Sequence, residues 1–133
     1  MKKLLLLIIL CFEFTFLQAQ IAIDEANNVK TTDGLSNHIE IISVCNKTLE
    51  NNPNNVGAYL DRGADRYRIH HYEDAISDYD KAIEIDPKNS EAYCLRGLAK
   101  HFQGDKEGAC SDWNKAGELG FTNAYINIKE YCN

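Results

Sequence analysis

Apolar positions recur with a helical period in four stretches of this chain. Between Tyr72 and Ile85, the residues Ala75, Tyr79 and Ala82 fall at i, i+4 and i+7, which is one face of a helix. Pro87 follows as a stop signal. The stretch before it, Val56–Ile69, predicts a partner helix with small residues at Ala58, Gly63 and Ala64 and a ring at Tyr59. Gly63 and Ala75 lack bulk, so two antiparallel helices are expected to approach there, with the Tyr79 ring filling the space beside them. Upstream, Ile39, Ile42, Cys45 and Leu49 recur every three to four residues, and Asn51-Asn52-Pro53-Asn54 ends that helix. Downstream, Ala124, Ile128 and Tyr131 form a last apolar stripe, with Thr122 expected as its N-cap.

The central pattern is written twice. Val56–Asn89 aligns on Ser90–Asn123 without a gap, at a period of 34 residues. Ala58/Ala92, Tyr59/Tyr93, Arg62/Arg96, Gly63/Gly97, Glu73/Glu107, Ala75/Ala109, Ser77/Ser111, Asp78/Asp112, Lys81/Lys115, Ala82/Ala116 and Glu84/Glu118 are identical pairs. Tyr79/Trp113 and Arg66/Lys100 are chemically close. A fixed period of this length means one supersecondary unit copied along an array.

The positions Tyr59, Gly63, Ala75, Tyr79, Ala82 and Pro87, then Tyr93, Gly97, Gly104, Ala109, Trp113 and Ala116, resemble the tetratricopeptide repeat. This resemblance covers about half the chain and implies an all-α fold, a short right-handed α-solenoid of helix–turn–helix units. Arg62 and Arg96 depart from the family pattern, which has an apolar residue there. His70 replaces the turn glycine that Gly104 supplies in the second copy, and Phe121 replaces the closing proline. An array end needs a cap over its apolar face, and 124–133 is assigned that role. The expected organisation is a signal peptide at 1–19, a polar lead-in at 20–34, a degenerate partial repeat at 35–55, repeats at 56–89 and 90–123, and the capping helix.

The front of the chain changes the compartment. Lys2 and Lys3 precede an apolar run from Leu4 to Leu17, and Ala19 offers a small residue for cleavage. The run is shorter than the roughly 20 apolar residues a membrane span needs, so export is expected, with no stable membrane anchor after cleavage. The destination expected is periplasm or extracellular space. Removing 1–19 takes Lys2, Lys3 and Glu13 and leaves 12 basic and 19 acidic residues, a formal charge of −7. Such a surface repels phosphate backbones, so nucleic acid is not an expected partner. Export also permits disulfides among Cys45, Cys94, Cys110 and Cys132, with three possible connectivities. Cys110 with Cys132 is the expected bridge, because the segment ending at Cys132 should pack on the helix carrying Cys110. The other reading is four buried free thiols. Asn46-Lys47-Thr48 is a glycosylation sequon that matters only in a eukaryotic secretory pathway.

Few residues suggest chemistry. Arg62/Asp78 and Arg96/Asp112 share a spacing of sixteen and recur once per copy, as structural ion pairs across a hairpin would. A catalytic pair would not be expected twice. His70 and His71 lie by a turn, near Glu73 and Asp74, but adjacent imidazoles point apart and a solvated turn is the better reading than a metal site. His38 and His101 stand alone. No phosphate loop, nucleophile elbow or zinc-protease motif is present, and no cofactor is implied.

The resemblance implies a peptide-binding concave face lined by the first helix of each unit. Its residues would be Leu60, Ala64, Tyr67 and Arg68, then Cys94, Leu98, His101 and Phe102. The family's carboxylate clamp uses Lys and Asn where this chain has Leu60 and Ala64, then Cys94 and Leu98, so no clamp is inferred. The sequence thus points to a non-enzymatic protein–protein interaction module, an adaptor of the cell envelope that binds a peptide or helix of a partner protein. Alternatives are a structural subunit that self-associates end to end, and a small metal-binding protein or hydrolase using His70, His71 and Glu73.

Overall fold

The computed structural model describes residues 34–132, and helices are the only regular elements among them. Contacts divide the chain into two units, Met1–Ser36 and Asn37–Asn133, and the architecture below is that of the second. The expected signal peptide, and the lead-in up to residue 33, lie outside the described residues. Helical backbone covers 34–51, of which 37–51 is here α1. Then follow α2 (Val56–Arg68), α3 (Tyr72–Ile85), α4 (Ser90–Gln103), α5 (Lys106–Glu118) and α6 (Ala124–Tyr131). Helices α2 and α3 pack as one hairpin, α4 and α5 as a second, and α3 packs on α4 and α5 on α6. No described helix is long and apolar enough to cross a membrane.

The turn chemistry repeats with the sequence. Asn55 and Asn89 cap α2 and α4 through their side chains, accepting from the Ala58 and Ala92 N–H groups at 3.0 and 2.9 Å. Asp105 does the same for α5 from the Gly108 N–H at 2.9 Å. Three helices end in the same left-handed turn. Gly104 and Gly120 adopt φ of 99° and 93°, and His70 stands in the equivalent place at 64°. Each turn closes by paired backbone bonds, His71 N–H to Arg66 O, Asp105 N–H to Lys100 O and Phe121 N–H to Ala116 O, all at 2.8–2.9 Å. This explains Phe121 in place of proline: the bond to Ala116 needs an N–H that proline lacks.

Helix α6 enters differently from expectation. Thr122 is not its N-cap. Asn123 precedes the helix in helical conformation without a side-chain bond. The first amides, on Ala124 and Tyr125, donate instead to the carbonyls of Phe121 and Thr122, so no capping side chain is required.

The core is built from alanines and one large ring per hairpin. Ala75, Ala82, Ala92, Ala99, Ala109, Ala116 and Ala124 are fully buried, and so are Tyr79 and Trp113. Gly63 and Gly97 admit those rings. A Cβ on Gly63 would stand 2.6 Å from Tyr79 Cε1, and one on Gly97 would stand 2.8 Å from Trp113 Cδ1. Ile128 and Tyr131 of α6 pack on the Trp113 cluster, covering the end of the second hairpin. On α1, Cys45 and Leu49 are buried, whereas Ile39 is 56 % exposed.

Candidate interaction surface

The paired Arg and Asp residues meet across each hairpin. Arg62 donates from Nη2 to Asp78 Oδ1 at 2.6 Å and from Nε to Asp78 Oδ2 at 3.0 Å. Arg96 bonds Asp112 through Nη2 at 2.6 Å and Nε at 2.8 Å. Both carboxylates are buried, and each takes a second cation one turn on, Arg66 at 2.8 Å and Lys100 at 2.9 Å. The hydrogen bond to Asp112 raises the Arg96 pKa further above its ordinary value. Each carboxylate is thus held by two cations from the facing helix, and the arrangement fastens the two helices of its hairpin.

His38 does not stand alone. Its Nδ1 lies 2.6 Å from Asp65 Oδ1, which ties α1 to α2. Asp65 is 4 % exposed and also receives Arg68 Nη1 at 3.3 Å. His101 has ring partners instead: its centroid lies 4.5 Å from Tyr131, 5.4 Å from Phe102 and 5.8 Å from Trp113. His70 faces the Tyr72 hydroxyl at 2.7 Å, while the His71 ring lies 3.6 Å from Asp74. The two neighbours thus turn to different partners. Among the described residues, no group of three or more His, Cys, Asp or Glu is placed to hold a metal ion.

An open cleft of about 420 Å³ lies where α1, α2 and α4 meet. Its lining is Ile41 from α1, Leu60, Asp61, Ala64, Asp65 and Arg68 from α2, and Glu91 and Leu95 from α4. Leu60 and Ala64 are one turn apart on α2, and Asp61, Asp65 and Arg68 form a neighbouring stripe at i, i+4 and i+7. Leu60 and Leu95 also rest on the Ala75, Tyr79 and Ala99 cluster, which makes the floor apolar and supported from behind.

Only part of the expected groove set lines this cleft. Leu60, Ala64 and Arg68 do. Tyr67 packs on the Tyr79 cluster and against the Tyr72 and Phe102 rings, both at 5.6 Å. Cys94 and Leu98 pack on the Trp113 cluster together with α6 residues, and Asn127 Nδ2 lies 3.9 Å from Cys94 Sγ. Helix α6 therefore sits against the positions that would have continued the groove into the second copy. Phe102 remains 54 % exposed. Ile41, Asp61, Asp65, Glu91 and Leu95 were not expected. The Asp61, Asp65, Arg68 spacing was the available signal, but apolar periodicity says nothing about a charged stripe.

Cys110 and Cys132 form a disulfide with Cα atoms 5.7 Å apart, joining α5 to the end of α6. Cys45 and Cys94 are free. Burial raises both thiol pKa values, with nearby carboxylates adding to it, Asp61 for Cys45 and Glu91 for Cys94. Neither thiol is activated as a nucleophile.

Comparison with known proteins agrees with this architecture. Residues 71–104, which hold α3, α4 and the turn between them, match the family described as TPR repeat. No curated protein sequence matches the chain. Among solved structures, the first TPR of Spaghetti (RPAP3), bound to the HSP90 peptide SRMEEVD, superposes with a TM-score of 0.70 at 23 % identity, over 73 % of this chain and 79 % of that one. The second TPR domain of human RPAP3, in complex with the HSP70 peptide SGPTIEEVD, gives 0.65 at 24 % identity, over 69 % and 78 %. A MamA RS-1 double mutant gives 0.60 at 27 % identity, over 65 % of this chain and 48 % of that one. Residues 71–104 match a tetratricopeptide repeat, and the described helices share the fold of short tetratricopeptide domains.

Proposed function

We propose that this protein is a non-enzymatic interaction module that takes a segment of a partner protein into the cleft between α1, α2 and α4. The preformed cleft carries this reading: its floor is apolar, backed by the core, and reachable without rearrangement. Structural neighbours solved with bound peptides support it. Their peptides carry Glu and Asp side chains, whereas the exposed Asp61 and Glu91 would repel such a ligand here, so a different peptide chemistry is proposed for this chain. Burial holds the free thiols Cys45 and Cys94 protonated, which supports a non-enzymatic reading.

The proposed setting is the cell envelope after export, in periplasm or outside the cell. Lys2, Lys3, the apolar run and Ala19 support export, and the Cys110–Cys132 bridge is consistent with an oxidising compartment. The test compares affinity capture from an envelope fraction by wild type and by Leu60→Glu/Leu95→Glu. A partner held by wild type and lost by a folded variant supports the cleft. A partner held equally by both would move the contact elsewhere.

A second reading is end-to-end self-association. It draws on Tyr125 and Ile126 of α6, 58 % and 63 % exposed, and on Ile39 and Val44 of α1, 56 % and 61 % exposed. Sedimentation over a hundredfold concentration range decides it. A constant monomer would remove this reading.

A further inference from the structure

We propose that the occupant of the cleft is a protein segment presenting one basic side chain, Lys or Arg, next to an apolar one. This rests on the cleft being the binding surface. The charge balance around it carries the argument. Arg68 is spent on Asp65, which His38 also contacts, so that buried carboxylate is already answered. Asp61 and Glu91 are different. Both are exposed, they stand on separate helices, and neither has a hydrogen bond or ion pair among the described residues.

Some acidic side chains on α3 and α5 do find partners. Glu84 pairs with Lys81, Glu118 with Lys115 and Asp80 with Arg96. Around the cleft the carboxylates are supplied and the second cation is not. A Lys or Arg entering between α2 and α4 would meet Asp61 from one wall and Glu91 from the other. Its apolar neighbour would rest on Leu60, Ala64 and Leu95. A bare cation would leave that floor exposed to water, and an anionic polymer would meet net negative charge. A basic-apolar peptide satisfies both halves of the surface.

The test is selection of a random twelve-residue peptide library on the purified protein and, in parallel, on Asp61→Asn/Glu91→Gln. These substitutions keep side-chain volume at exposed positions, and thermal melting checks the fold of each sample. Wild type is expected to enrich peptides with Lys or Arg beside Leu, Ile or Phe. A synthetic copy of the leading peptide should bind the double variant about tenfold more weakly and should weaken with added salt. Enrichment of acidic or uncharged peptides, or equal affinity for both proteins, would overturn the cationic occupant and leave the interaction module standing. Failure of the folded wild type to enrich any peptide would overturn both.

Discussion

Arg96 donates through Nη1 to Asp80 Oδ1 at 2.6 Å, a bond that crosses from the second hairpin to the first. The same guanidinium bonds Asp112 of its own hairpin, so one side chain fastens three helices. Arg62 repeats the device one unit earlier, with Asn46 of α1 as its outer partner at 2.6 Å. Each arginine also lies over a tyrosine ring of its own helix, Tyr59 or Tyr93, at about 5.5 Å. The series stops at α6, because the next position in register is Glu130, an acceptor rather than a donor. There the Cys110–Cys132 bridge takes over the attachment.

The buried and exposed halves of this arrangement should differ in energy. Asp112→Ala or Asp78→Ala leaves two cations facing a buried gap, and each is expected to cost about 3–5 kcal/mol. Asp80→Ala removes a carboxylate that is 54 % exposed, and its expected cost is below about 1 kcal/mol. Urea unfolding of the three variants checks the contrast. Equal losses for Asp80 and Asp112 would mean that the hairpin pair is no stronger than the surface one.

Close approach of the helices depends on the bare glycines. Gly63→Ala places a methyl against the Tyr79 ring, which is 1 % exposed and has nowhere to retreat. The expected loss is about 1–3 kcal/mol from overpacking. Adding Tyr79→Leu should make the pair non-additive, with the alanine costing less once the ring is gone. Additive losses would show that the ring is not the obstacle.

His70 holds a left-handed conformation that glycine holds in the other two turns of this kind. His70→Gly is expected to stabilise the fold by about 0.5–1 kcal/mol, after subtracting the lost contact to Tyr72 and the added freedom of the unfolded chain. His70→Ala keeps the strain and loses the contact, so it should not stabilise. A lowered melting temperature for the glycine variant would mean that the Tyr72 contact outweighs the strain.

The disulfide closes a loop of 22 residues around the last helix. Cys110→Ser/Cys132→Ser is expected to cost about 2–4 kcal/mol. Amide exchange should then rise first in α6. Cys45 and Cys94 should resist iodoacetamide at neutral pH in the folded protein, since burial keeps the thiolate fraction low, and should react once urea unfolds the chain. Rapid labelling of either thiol without denaturant would show that its shielding is incomplete.

The sequence by itself determined the repeat, the helix positions and the residues of the two hairpin ion pairs. Those features are local or periodic: a stripe at i, i+4 and i+7, a glycine opposite a ring, an Arg and an Asp sixteen residues apart in both copies. The tertiary structure decided the surface. Whether Leu98 and His101 line a groove or pack beneath α6 depends on where the last helix lands, and no period in α4 records that. The cleft is likewise assembled from Ile41, Asp61 and Glu91 on three helices, residues unremarkable in their own segments. His38 read as solitary because its partner, Asp65, lies 27 residues away and only the packing of α1 on α2 joins them. Helical periodicity is set by nearest neighbours along the chain, whereas a binding surface is set by which helices come to share an edge.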